Sequence, residues 1–185
     1  MSENTSVWNS AGKAGLVLGA ISITYFLVTN LISNHMPDGT LMIILINILT
    51  MLLWVIKFTG CIYAMKYFMK NYCVENQDAD NSSVFRFGTV TALYSALLYS
   101  AFSLAYTLFI APDTYAKAFD AVRDMPTMDS ATLEVIDQMI PMMPTYSFFT
   151  ILLYCWLFGT ILSAILSRNI PSSNPFGSDF DNLEQ

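Results

Sequence analysis

The chain has 185 residues, of which 55% are hydrophobic and 12% charged. Soluble domains are about 45–50% apolar and about 25% charged, so charge is too scarce here to clothe a water-facing surface. The formal net charge of −6 excludes the basic footprint of a nucleic-acid binder, and the length suits one domain rather than two.

A helix crosses the hydrocarbon core, about 30 Å thick, in about 20 mostly apolar residues. Residues 13–32, 41–69, 85–110 and 146–167 form four such stretches. Backbone amides find no water in lipid, so each stretch is expected to be helical. The expected fold class is all-α: a polytopic membrane protein built as a four-transmembrane-helix bundle. Residues 1–168 form the transmembrane domain and 169–185 a disordered tail.

The first span follows Glu3 and lacks a small-x-small cleavage site after it, which reads as a retained signal anchor. Ala11, Gly15 and Gly19 lie four residues apart along one helix face, and Trp8 suits the membrane interface. His35 stands in a short polar link with no second ligand nearby, so no metal site is expected.

The second span holds two polar outliers, Asn47 and Lys57. Lys57 lies about 24 Å from Leu41 at ~1.5 Å per residue, towards the cytoplasmic side. A lysine there can extend to the headgroups or bind an anionic group. Asn47 is expected to hydrogen-bond across helices. The ten positions between them correspond to about 80° of rotation, so they do not share a face. Gly60 and Ala64 supply this span's small-residue stripe, and Tyr72 is expected at the interface. Cys61, Cys73 and Cys155 follow no metal-ligand spacing. Residues 71–83 are polar and read as a flexible cytoplasmic loop.

The third span carries Gly88, Ala92, Ala96 and Ser100 at four-residue spacing. In the outer loop, residues 111–143, Pro112 opens an amphipathic helix with Tyr115, Phe119 and Val122 on one side. A break is expected at Met125-Pro126-Thr127. Asp129 would cap a second short helix bearing Leu133, Ile136 and Ile140, stopped by Pro141 and Pro144. Asp120 and Asp124 stand one turn apart, but Lys117 and Arg123 beside them make this a solvated charge face. The fourth span repeats the stripe with Cys155, Gly159, Ser163 and Ser167. Phe176, Phe180 and Leu183 stand out in the polar tail as docking anchors.

Lys13, Lys66, Lys70, Arg86 and Arg168 fall on one side of four alternating spans, while Lys117 and Arg123 sit among acids on the other. This bias places both termini in the cytoplasm. No span contains Asp or Glu, which weighs against proton-coupled transport. Nucleophile elbows, zinc motifs and phosphate loops are absent from the sequence, so neither enzymatic activity nor a cofactor is expected.

Three pieces carry a family resemblance: Ala11-Gly12-Lys13-Ala14-Gly15 opening the first span, Ser83-Val84-Phe85-Arg86-Phe87-Gly88 opening the third, and Ala111-Pro112-Asp113 closing it. Together they resemble the bacterial membrane family catalogued as domain of unknown function 4199, widespread in Bacteroidota. The resemblance runs from about Gly12 to Ser167 and implies a four-helix inner-membrane protein with no assigned activity. The leading functional expectation is a non-enzymatic scaffold or accessory subunit of an inner-membrane complex. Its partners would be membrane lipids and another membrane protein, and the small-residue stripes could equally serve a homo-oligomer. The alternative is a small transporter or lipid-handling protein that binds an anionic head group near Lys57.

Overall fold

The computed structural model describes residues 2–34, 40–76, 79–123 and 130–170. Apolar runs keep their amides paired internally, and the chain is helical almost throughout: α1 (Ser2–Asn34), α2 (Thr40–Glu75), α3 (Asn81–Ala105), α4 (Thr114–Arg123), α5 (Ser130–Met139) and α6 (Met143–Asn169). Four helical runs, Val7–Ser33, Leu41–Glu75, Asn81–Ile110 and Leu133–Asn169, are long and apolar enough to cross a membrane. His35, Asp124, Asp129, the Met125-Pro126-Thr127 break and the anchors Phe176, Phe180 and Leu183 lie outside the described residues.

The helices outrun the apolar spans. The stretch 71–83, expected as a flexible loop, is mostly helical: α2 continues to Glu75 and α3 begins at Asn81. Asp80 caps α3, accepting from the Ser83 hydroxyl at 2.6 Å and the Ser83 amide at 2.8 Å. At its other end α3 runs into a π-helical turn, Tyr106–Ile110, closed by the Ala111 amide donating to the Tyr106 carbonyl. The prolines before the fourth span redirect the chain instead of stopping it. Pro141 lies in a 3₁₀ turn, Ile140–Met142, that leads directly into α6. Pro144 occupies the first turn of α6, where its missing amide hydrogen has no intrahelical use. Arg123 pairs with Asp120 within α4 at 3.1 Å and with Asp137 of α5.

Burial is inverted relative to a soluble protein. The shared interior includes Ala11, Ala14, Ala92, Ala96, Ser100 and Ser163, while long apolar side chains such as Leu45, Ile56, Leu153 and Ile161 stand exposed. Lipid offers those side chains a home, so helices associate through close contact of small residues. The α3 helix is central, packed against α6 on one flank and α1 on the other. Its buried set, Val84, Phe87, Gly88, Thr91, Ala92, Ala96, Ser100 and Ser103, recurs every three or four residues.

The glycines show how close the approach is. A Cβ on Gly15 would stand 2.9 Å from the Thr91 carbonyl oxygen, and one on Gly19 would stand 2.6 Å from Leu98 Cδ2. A Cβ on Gly88 would run into Ser163, and one on Gly159 into Ala92. Gly60 departs from the expectation, because a Cβ there meets open space. The small-residue stripe of α2 is split: Gly60 is exposed, whereas Ala64 packs against the core in the second half of the helix. Met65, Met69, Tyr72 and Cys73 are buried there. Tyr72, expected at the interface, is buried within the bundle near the end of α2. It is only 7% exposed and stacks on Phe87 with ring centroids 4.5 Å apart. Trp8 is 50% exposed and meets Tyr94 edge-on.

Candidate functional site

Where α2 parts from the bundle, a cavity of about 150 Å³ opens, lined by all four long helices. Its polar wall consists of Ser22 from α1, Lys57 and Cys61 from α2, Ser95 and Tyr99 from α3, and Cys155 from α6. Lys57 and Cys61 are one turn apart and therefore share a face.

The Lys57 ammonium lies 5.0 Å from the centre of the Tyr25 ring and 5.2 Å from that of Tyr99. Tyr99 stands thirteen residues from Arg86 and thirteen from Pro112, or about 20 Å of helix either way. The ammonium is thus near the middle of the helical run. The cause is the direction of α2. Side chains lean towards the N-terminus of their own helix, which for α2 points away from the end that carries Lys66 and Lys70. Lys57 therefore leans into the bundle, between two aromatic faces.

Those faces supply part of a counter-charge, on the order of 2 kcal/mol for a desolvated cation–π contact. That is similar to the ~2.5–3.5 kcal/mol that insertion of a lysine at the centre of a span costs. The three N–H donors of the ammonium remain. Among the described residues none accepts a hydrogen bond from Lys57, and no carboxylate lines the cavity. The site is therefore a positive charge in a low-dielectric setting with its hydrogen-bonding capacity unspent.

Of the residues singled out from sequence, Lys57 lines this cavity and Gly159 forms part of its wall. Asn47 does not: its side chain is exposed on the first half of α2 and makes no hydrogen bond to another described residue. Gly15, Gly19 and Gly88 hold the α1–α3 and α3–α6 seams around the site, and Gly60 faces outwards. Tyr25, Tyr99 and Ser22 were not anticipated, and Cys155, read as part of a packing stripe, lines the cavity. The signal for the tyrosines was their position well inside spans, whereas tyrosine in membrane proteins favours the interfaces.

These features define a four-span helical membrane protein with a largely apolar cavity between its helices that Lys57 lines. A sequence model of the family described as Protein of unknown function (DUF4199) matches residues 13–168, and the chain belongs to that family. No curated protein and no solved structure matches it.

Proposed function

We propose that the bundle binds an anionic group in the cavity between its four helices, with Lys57 as the counter-charge. It would act as a small transporter or lipid-handling protein of the bacterial inner membrane, with both termini in the cytoplasm. The observation that carries this reading is the central ammonium held by two tyrosine rings with no carboxylate beside it. An ionisable group at that depth is costly, and an incoming anion would offset the cost through charge-assisted hydrogen bonds. Neither catalysis nor a cofactor is required.

A second reading, a non-enzymatic accessory subunit of a membrane complex, is favoured by the first half of α2. Residues such as Leu41, Leu45, Ile48 and Leu52 are exposed there, and so is the amide of Asn47. A partner helix could accept that amide in lipid, and the tail anchors could add a further contact.

One purification separates the two readings. The protein is taken from native membranes in mild detergent, and native mass spectrometry identifies what travels with it. A bound anion that disappears in Lys57→Met supports the cavity. A stoichiometric protein partner, with no anion dependent on Lys57, overturns it in favour of the accessory subunit.

A further inference from the structure

We infer that the ligand is an amphiphile, a compact monoanionic headgroup on a hydrocarbon chain, which enters sideways from the bilayer between α2 and α6. This rests on the reading of Lys57 as an anion site and adds the class of ligand and its route.

Size is the first argument. Sites that enclose a whole drug-sized molecule run to about 300–1,000 Å³. The cavity here, about 150 Å³, is below that range and suits a headgroup whose remainder lies outside. Charge agrees, because Lys57 is the only cation lining it among the described residues. One ammonium balances one negative charge.

The second argument is where the cavity is closed. Towards the end bearing Lys66 and Arg86, Met65, Met69, Val84 and Phe87 are buried, and Tyr72 lies flat on Phe87. Towards the opposite end Phe26 meets Tyr99, Phe102 and Tyr106 edge-on, with centroids 5.0 to 6.2 Å apart. The buried layer separates this cavity from a second hollow of about 200 Å³ at the Lys66 end, lined by Lys13, Asn71, Glu75 and Phe87, and the α1–α3 rings narrow the opposite approach for a hydrated anion.

The third argument is where it is open. Three of the lining residues are exposed: Trp54 by 51%, Tyr154 by 69% and Phe158 by 38%. All three are on α2 or α6, and in a membrane span such exposure is to lipid. These two helices touch sparsely. Phe58 meets Phe158 at 5.5 Å, and Trp54 stacks on Phe58 at 5.4 Å. No glycine seam binds α2 to α6 in the way Gly88 and Gly159 bind α3 to α6. Three rings with rotatable side chains form the wall, and a chain can pass where they turn aside. The hydrocarbon tail then lies along the exposed face of the first half of α2, with the headgroup at Lys57.

Trp54 is a native reporter at this opening. The full-length protein in nanodiscs, with Trp8→Phe and Trp156→Phe so that Trp54 alone fluoresces, is titrated with 9,10-dibromostearate. The expected result is saturable quenching, reversed by oleate and weakened about thirtyfold or more in Lys57→Met, as loss of a buried charge partner implies. Phe158→Ala, which leaves Lys57 in place, should speed the approach to saturation in stopped flow. An unchanged rate would overturn the portal. Non-saturable quenching, together with calorimetric binding of acetate or inorganic phosphate that Lys57→Met abolishes, would refute the amphiphile and keep the anion site. If oleate, acetate and phosphate all bind without dependence on Lys57, or fail to bind, both readings fall.

Discussion

Gly88 offers the sharpest test of how the bundle is held. It is buried on α3, and a Cβ there would collide with the Ser163 hydroxyl and stand 2.9 Å from the Ser163 Cβ. Ser163 cannot swing away freely, because its hydroxyl donates to the Phe85 carbonyl at 3.0 Å. Gly88→Ala gains about 1 kcal/mol of helix propensity. Against this stand about 1–3 kcal/mol of overpacking and about 0.5–1.5 kcal/mol if the Ser163 bond is disturbed. The expected balance is a loss of ~2 kcal/mol. Gly60→Ala meets open space and should gain up to ~1 kcal/mol, which makes it the matched control. Equilibrium unfolding in mixed dodecyl maltoside and SDS micelles measures both. The partner substitution Ser163→Gly removes the colliding atoms. The double-mutant cycle should therefore show a favourable coupling within the ~0.5–3 kcal/mol range of touching residues. If Gly88→Ala were as stable as the unmodified protein, or the coupling vanished, the close-approach account of the α3–α6 seam would be wrong.

Two further outcomes are expected. Tyr72→Ala empties the stack on Phe87 and should cost about 3 kcal/mol, whereas Trp8→Ala, at a half-exposed ring, should cost much less; equal losses in the same unfolding assay would restore Tyr72 to the interface. The Ser83 hydroxyl, and then its amide, hold the Asp80 carboxyl below the usual carboxylate range. Its folded pKa is thus depressed, so the cap stabilises above the unfolded value, about 3.9, and the contribution is lost as pH falls through the lower folded value. Hydrogen-exchange protection in the first turn of α3, corrected for the intrinsic pH dependence of amide exchange, should fall across that acid window. Asp80→Ala should show low protection at neutral pH as well, and pH-independent protection in the unmodified chain would count against the cap.

Much of the architecture was legible in residue order. Four uninterrupted apolar stretches specify four helices, because lipid leaves the backbone no other economical pairing. The two short outer helices followed from Pro112 and from apolar residues at helical spacing. The helix ends were less legible. The stretch Asn71–Glu75, mixed in polarity, gives no sustained hydropathy signal, yet continues α2, with the Asn71 side chain donating to Glu75 one turn on. Tyr72 looked interfacial because composition near a span end does not say which way a ring faces. The small-residue stripes were equally visible in all four spans, but only contact with a neighbour distinguishes Gly88, which closes a seam, from Gly60, which faces outwards.

The sequence by itself determined that the chain crosses a membrane as helices, because that follows from local pairing of the backbone in lipid and needs no knowledge of neighbours. It also marked Lys57 as the one cation deep in a span. Only the tertiary structure decided what that cation does. Tyr25, Tyr99 and Cys155 come from three other helices and are up to 130 positions apart in the chain. Their meeting around Lys57 depends on how the four helices pack and on the direction in which the α2 side chains lean. Periodicity along one helix fixes a face, and a site assembled from four helices exists only once those faces have been turned towards one another.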